Sequence, residues 1–198
     1  MKYYDNQNGR SMVEMLGVLA IVAVLSVGGI AGYSKAMAKF KIGKTLDQIQ
    51  TLVTDIRSLY SGSPDYAGIS ITNLITHEVI PNDMRAKFGP FTRAKNAFGG
   101  HVEVSTWNGN PSITAQGFQF SYNRLDQTSC IQLATADWGG SAASGFVGLF
   151  VNPYSVAQVG FNILPDISWA NGNLPLNLSD AAALCTSNND NSITWIYR

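Results

Sequence analysis

The longest apolar run of the chain lies near its beginning, between Met15 and Ser34, and contains 20 residues without a charge. A helix rises about 1.5 Å per residue, so this run covers roughly 30 Å, the thickness of the hydrocarbon core of a bilayer. The apolar core of a cleaved secretory signal is shorter, about 7 to 15 residues. The run therefore predicts a membrane-spanning helix.

The helical pattern continues beyond Lys35 with one apolar side. The sequence Ser61-Gly62-Ser63-Pro64 then predicts its end. The whole element would cover about 50 residues, far more than an average globular helix. Its second half is amphipathic, because apolar residues recur there at steps of three or four, at Ile42, Leu46, Ile49, Val53, Ile56 and Tyr60.

The remaining residues alternate in a way that predicts β-strands. Val102 to Trp107 alternates and ends at the turn signal Asn108-Gly109. The pattern predicts further strands through Phe118, Phe120 and Tyr122, over Phe146 to Val151 and over Ile193 to Tyr197. Two short helices are predicted, one from Asn73 to Val79 and one from Asp180 to Cys185 that Ser179 would cap. The fold class is α+β, with the long N-terminal helix packed on an antiparallel sheet.

Formal charge is zero, but its distribution is uneven. Residues 1–60 hold seven Lys or Arg against four Asp or Glu, and residues 61–198 hold six against nine. A mildly acidic body gives no electrostatic reason to expect a nucleic-acid partner. One local basic cluster is predicted to be a solvated loop, and it consists of Arg85, Lys87, Arg93 and Lys95.

The cations on either side of the apolar run bear on the orientation of the predicted helix in the membrane. Lys35, Lys39, Lys41 and Lys44 follow the run, whereas Lys2 and Arg10 precede it. The positive-inside rule taken alone places the C-terminal body in the cytoplasm. That placement stays open as an alternative to an external body.

Two cysteines, Cys130 and Cys185, and two histidines are too few for a structural zinc site. A disulfide is predicted if the body lies outside the cytoplasm, and free thiols if it lies inside. The bridge would close a loop of about 55 residues and stabilise the fold by roughly 4 kcal/mol.

No arrangement of residues indicates catalysis or a cofactor. His77-Glu78 lacks the second histidine of a metalloprotease helix, and residues 139–145 lack the lysine of a phosphate-binding loop. The run from Asn188 to Asn191 carries one formal charge and predicts a turn rather than a calcium site. We therefore expect neither an enzyme nor a metal or cofactor.

A single carboxylate, Glu14, stands at the edge of the apolar run, where a buried ion costs several kcal/mol and is usually functional. The segment from Gly9 to Glu14 resembles the processing site of type IV prepilins. In that family a peptidase cuts after a glycine, and a glutamate is the fifth residue of the mature chain. Counted from Arg10, the fifth residue is Glu14.

The body resembles type IVb pilins, in particular the major pilins of thin pili. The stretches that carry this resemblance are LYSGSPDYAGIS (59–70), VIPNDM (79–84), NAFGGHVEV (96–104), FQFSYNRL (118–125), CIQLATADWG (130–139) and ITWIY (193–197). The resemblance departs from the family at Arg10, where an apolar residue is usual, and in the short leader.

The resemblance implies a leader at 1–9, a transmembrane and assembly half of the helix at 10–34, and a periplasmic globular domain at 35–198. It implies cleavage at Gly9 by prepilin peptidase, assembly by an inner-membrane machinery, and a helical homopolymer outside the cell. Glu14 of one copy would meet the new amino group on Arg10 of a neighbour. A minor pilin, a secretion pseudopilin and a membrane-anchored periplasmic enzyme remain alternatives.

Overall fold

The computed structural model describes residues 12–108, 115–139, 144–152 and 175–198. The helices in these ranges are α1 (Met12–Tyr60), α2 (Ile71–Thr76), α3 (Gln127–Ala134) and α4 (Leu178–Leu184), with a 3-10 helix at Asn82–Met84. The strands are β1 (Arg85–Phe88), β2 (Phe91–Lys95), β3 (His101–Trp107), β4 (Gly117–Leu125), β5 (Phe146–Val151) and β6 (Asn191–Tyr197).

The chain divides into two compact units, the first ending at Phe40 and the second running from Lys41 to Arg198. Helix α1 belongs to both and is continuous over 49 residues. It has no buried residue in the first unit, whereas Ile49, Leu52 and Ile56 are fully buried in the second. The predicted long helix and its end at Tyr60 are confirmed.

The strands of the second unit form one antiparallel sheet in the order β1-β2-β3-β4-β6-β5. The central strand β4 pairs with β3 from Val102↔Tyr122 to Trp107↔Gly117 and with β6 from Phe118↔Tyr197 onward. Gly117 is required in this pairing, because a Cβ there would lie 2.2 Å from the Tyr197 carbonyl oxygen. The predicted α+β fold with an antiparallel sheet is confirmed.

Aromatic side chains from the two central strands form the core against the amphipathic stripe of α1. Phe118, Phe120 and Tyr122 of β4 are fully buried, as is Trp195 of β6. The Phe120 and Trp195 rings stack at a centroid distance of 5.6 Å, and Tyr122 meets Trp195 edge-on at 5.4 Å. Alternation along the strands places these rings on the same face as the apolar stripe of α1.

Both predicted short helices are displaced from their predicted bounds. Helix α2 starts after Ser70, whose hydroxyl accepts from the Asn73 amide, and it cannot reach Val79 because Glu78 has a left-handed φ of 60°. Helix α4 is capped by Asn177 rather than Ser179. The Asn177 Oδ1 accepts from the Asp180 amide at 2.9 Å, so the helix begins at Leu178 and the prediction of a Ser179 cap is wrong.

The basic cluster predicted as a solvated loop is a β-hairpin. Strands β1 and β2 pair from Arg85↔Ala94 to Phe88↔Phe91, with Gly89 and Pro90 at the turn. Gly89 has a φ of 61°, which glycine adopts without strain. The hairpin forms one edge of the sheet, so it is part of the folded body.

Candidate functional site

The first unit presents an apolar surface that no described residue covers. An 18-residue window of α1 reaches a mean hydropathy of 2.3 and has none of its residues buried. Among the described helices, α1 is the one long and apolar enough to cross a membrane. The exposed large side chains of this assembly surface are Met12, Val13, Met15, Leu16, Val18, Leu19, Ile21, Val22, Val24, Leu25, Val27, Ile30, Tyr33 and Phe40.

Glu14 lies in the first turn of α1, at one end of this surface. Helical spacing places Gly17, Val18 and Ile21 on the same side of α1 as Glu14. Within α1 the next charge is Lys35. Gly9 and Arg10 lie outside the described residues.

The two serine hydroxyls in the exposed stretch are satisfied by the helix itself. Ser26 donates to the Val22 carbonyl oxygen at 2.7 Å, and Ser34 donates to the Ile30 carbonyl oxygen at 2.9 Å. Each hydroxyl thus has a partner without water. The surface can therefore enter an apolar environment without leaving these donors unpaired.

The predicted disulfide between Cys130 and Cys185 is confirmed, with the two Cα atoms 5.9 Å apart. It joins α3 to the residue that follows α4. The Gln127 side chain adds a second link by donating to the Cys185 carbonyl oxygen at 3.0 Å. At its start, α3 is capped by Asp126, which accepts from the Ser129 amide at 2.9 Å. The C-terminal region is thereby clamped to the sheet-bearing body.

A polar link joins α1 to the 3-10 helix. The Lys44 Nζ lies 2.7 Å from the Asp83 carboxylate, and Gln48 Nε2 donates to the same carboxylate at 3.3 Å. The hydrogen bond from Lys44 lowers the pKa of Asp83 below its usual 3.8, against a smaller opposing effect of burial. No local pattern in the sequence indicated this pair, because its partners belong to different elements.

The last turns of α1 hold the final strand. The Arg57 guanidinium donates through Nε to the Arg198 carbonyl oxygen at 2.9 Å. The Cζ atom of the same guanidinium lies 5.8 Å from the centre of the Tyr197 ring. Burial raises the pKa of Tyr197 to about 12, although Arg57 acts in the opposite direction. The hydrogen bond joins residues 141 positions apart, which is why sequence patterns missed it.

The residues weighed for metal binding or catalysis are not brought together. His77 is exposed at the C-cap of α2. The Asn191 side chain is buried and donates to the carbonyl oxygens of Leu125 and Ser187, so it faces the protein. Within ranges 12–108, 115–139, 144–152 and 175–198, no three His, Cys, Asp or Glu side chains are grouped to hold a metal ion.

The described fold resembles that of two solved pilins. The type IVb pilin of Salmonella typhi aligns with a TM-score of 0.55 and 19% identity, over 79% of this chain and 99% of that one. The type IV pilin TcpA of Vibrio cholerae El Tor aligns with a TM-score of 0.57 and 17% identity, over 80% and 99%. The fold is therefore that of a type IV pilin.

Sequence relatives define the family. Residues 40–198 match the family described as PilS N terminal. The major structural subunit of the bundle-forming pilus of Escherichia coli O127:H6 is 30% identical over 136 residues, covering 69% of this chain and 68% of that subunit. The toxin coregulated pilin of Vibrio cholerae is 24% identical over 196 residues, covering 90% and 84%. The chain belongs to the PilS family of type IVb pilins, which confirms the resemblance drawn from its motifs.

Proposed function

We propose that this pilin is the major subunit of a type IVb pilus, cut after Gly9 by prepilin peptidase and polymerised through α1. Before assembly, the first unit spans the inner membrane and the body is periplasmic, where the disulfide forms. An inner-membrane machinery then moves the helix from lipid into a bundle of like helices, and the body forms the surface of an extracellular filament. The role is structural and needs no catalytic group or cofactor.

The observation that carries this proposal is the exposure of the first unit. Its large apolar side chains are exposed by 48–81%, in a helix whose second half buries the same residue types completely. A soluble monomer with this surface would aggregate, because contiguous apolar patches of this size are interaction surfaces. Lipid before assembly and neighbouring helices after assembly are two environments that would cover it.

Glu14 supplies the register of the helix bundle. Cleavage after Gly9 creates an amino group on Arg10, and Glu14 of one copy pairs with that group on the next. In a low dielectric such a pair is strong and an unpaired charge is costly. A copy that slips along its neighbours loses the pair, so assembly selects one register. A membrane tether for an enzyme has no need of this carboxylate.

The test is Glu14→Gln, with Asp47→Asn as the matched control, because Asp47 is an exposed carboxylate of the same helix in the second unit. Removing one partner of a buried pair costs about 3–5 kcal/mol, on the order of 10²- to 10⁴-fold in subunit association. We expect Glu14→Gln to give a folded, membrane-inserted subunit and few or no sheared filaments, with normal filaments from Asp47→Asn. Normal piliation by Glu14→Gln would refute the pairing.

Composition of the sheared filaments separates a major pilin from a minor pilin or a pseudopilin. A major subunit dominates the preparation, whereas a minor subunit is rare in it. The intact mass of the subunit reports cleavage, N-methylation and the disulfide together. We expect the mass of a chain that begins at Arg10 and contains a closed Cys130–Cys185 bridge. A mass that includes residues 1–9 would exclude the proposed processing.

A further inference from the structure

Charge in the second unit is concentrated on one hairpin. Within residues 61–198, four of the six Lys or Arg lie between positions 85 and 95, and that segment contains no Asp or Glu. The rest of residues 61–198 holds two basic residues against nine acidic ones. We call the segment formed by β1, its turn and β2 the basic hairpin.

The basic hairpin also exposes apolar groups at its tip. Phe88 and Phe91 are 43% and 66% exposed. Arg93 and Lys95 are exposed on the same face of the hairpin, and Lys87 is exposed on the other face. In the described ranges these three cations form no ion pair, and the one salt bridge recorded there joins Lys44 to Asp83. An exposed aromatic tip beside two cations without an ion pair has the composition of an interaction surface.

Helix α4 presents the complementary composition. Leu178 is 70% exposed, and Asp180, Ala182 and Ala183 are exposed beside it. Leu178 is one of four large apolar side chains exposed among the described residues of the second unit, together with Leu59, Phe88 and Phe91. We call this outer side of α4 the α4 surface. Its one charged side chain is Asp180, whose carboxylate accepts from the Asn177 side chain at 2.7 Å, whereas the hairpin carries cations.

The two surfaces lie at opposite edges of the sheet. The hairpin contains the edge strand β1, whereas α4 ends beside β5, where the Asn152 side chain donates to the Leu184 carbonyl oxygen at 2.7 Å. Strands lie about 4.8 Å apart, so roughly 24 Å separates β1 from β5 across the six-stranded sheet. The surfaces of one copy therefore cannot meet each other, but those of two copies can.

We propose that the basic hairpin of one copy docks on the α4 surface of the next copy in the filament. This inference rests on the proposed filament function. The contact joins two different surfaces, so it is heterologous, and a heterologous contact that does not close generates an open helical array rather than a dimer. The partner is a second copy because this chain itself carries the opposite charge and the matching apolar group.

Cross-linking of intact sheared filaments tests the contact. Lys95→Cys places a thiol on the hairpin face that carries Phe91 and Arg93, and Ser179→Cys places one on α4; both positions are exposed. A disulfide requires Cα atoms about 4.4–6.8 Å apart, so it reports direct docking. After mild oxidation, the double variant should give a ladder of dimers, trimers and longer oligomers. Co-assembled single variants should give dimers alone, and each single variant by itself should give none.

Charge reversal provides a second readout. Arg93→Glu should abolish the ladder of the double-cysteine variant, and Asp180→Lys should restore it. Raising the salt to 1 M should weaken the ladder, because the Debye length falls to about 3 Å. An unfolding midpoint close to that of the unsubstituted chain shows that the body of a variant is intact. Loss of the ladder in such a variant is then loss of the contact.

The outcomes separate this inference from the proposed function. Filaments that form normally but give no ladder overturn the docking contact and leave the pilin function standing. If the wild-type chain forms no filaments, both proposals fall. An anionic lipid surface is the other occupant that fits the hairpin. Hairpin-dependent binding of filaments to phosphatidylserine vesicles, with the cysteine pair unlinked, would overturn the contact in favour of that surface.

Discussion

The two parts of α1 use the same residue types in opposite ways. Leu25 in the first unit is 69% exposed, whereas Leu52 in the second is fully buried. The second unit has a closed aromatic core, a disulfide and side-chain links to α1, so its fold is complete in one copy. Between Met12 and Phe40, the first unit has an uncovered apolar surface and one carboxylate, Glu14. The comparison shows that the body buries its apolar side chains within one copy. The first unit needs lipid or the helices of other copies to cover its apolar side chains.

Removal of the disulfide should give the largest loss of stability and should act on the second unit. The variant with Cys130→Ala and Cys185→Ala is expected to lose roughly 4 kcal/mol of unfolding free energy, because the bridge closes a loop of 55 residues. Urea unfolding of the full chain in detergent, followed by tryptophan fluorescence, measures this loss. Membrane insertion of the first unit should be unchanged. A loss under ~1 kcal/mol would show that the clamp contributes little.

The same substitution at two places in α1 compares the units directly. Leu52→Ala should lower the unfolding free energy of the body by about 2–5 kcal/mol, since it leaves a cavity in the core. Leu25→Ala should leave the unfolding of the body unchanged and should reduce the yield of filaments. Urea unfolding and filament yield are measured for both variants. Equal effects on body stability would contradict the difference between a unit that buries its apolar residues and a unit that exposes them.

High pH should unfold the body through its buried tyrosines. The pKa of Tyr197 is raised to about 12 from 10.0, so its stabilising effect is complete below pH 10 and is lost as the pH rises through 12. The contribution is on the order of 2 kcal/mol. Tyr197→Phe should flatten the alkaline decrease in the unfolding free energy. Tyr33→Phe, in the first unit, should leave that decrease unchanged. If both tyrosine variants flattened the decrease equally, the alkaline loss could not be assigned to the body.

Low pH should weaken the Lys44–Asp83 link by a smaller amount. The pKa of Asp83 is lowered below 3.8, so the pair stabilises the body above that pH and its contribution is lost as the pH falls through the lowered pKa. Both side chains are more than a third exposed, so solvent limits the contribution to under ~1 kcal/mol. Asp83→Asn should remove this part of the acid dependence, and Lys35→Met, in the first unit, should not. An unchanged acid profile in Asp83→Asn would show that the pair contributes nothing.

Much of this architecture follows from local sequence patterns. The extent of α1 was predictable because its apolar residues keep helical spacing up to Tyr60 and a Ser-Gly-Ser-Pro stop follows. The strands β3, β4, β5 and β6 were predictable from apolar or alternating runs of ordinary strand length. These signals act within a few residues, so they need no knowledge of the tertiary fold.

Sequence patterns missed two kinds of feature. In one, neighbouring residues could fill the same structural role, and in the other, the partners lie far apart in the sequence. The basic hairpin has four cations and a Gly-Pro turn, so its composition indicated a loop, and its pairing depends on the neighbouring strand β3. Asn177 and Ser179 both suit a helix cap, and Asn177 is the one that forms it. The Arg57 contact with Arg198 has no sequence signal at all. For Glu14, the spacing from Gly9 was the available signal.

The most direct test of the account is a density map of the native filament, in which the positions of Glu14 and the mature N-terminus are visible. We expect each chain to begin at Arg10 and its amino group to lie within about 4 Å of the Glu14 carboxylate of an adjacent copy, the distance of an ion pair. Chains that retain residues 1–9, or a Glu14 that faces solvent or its own amino group, would contradict the account.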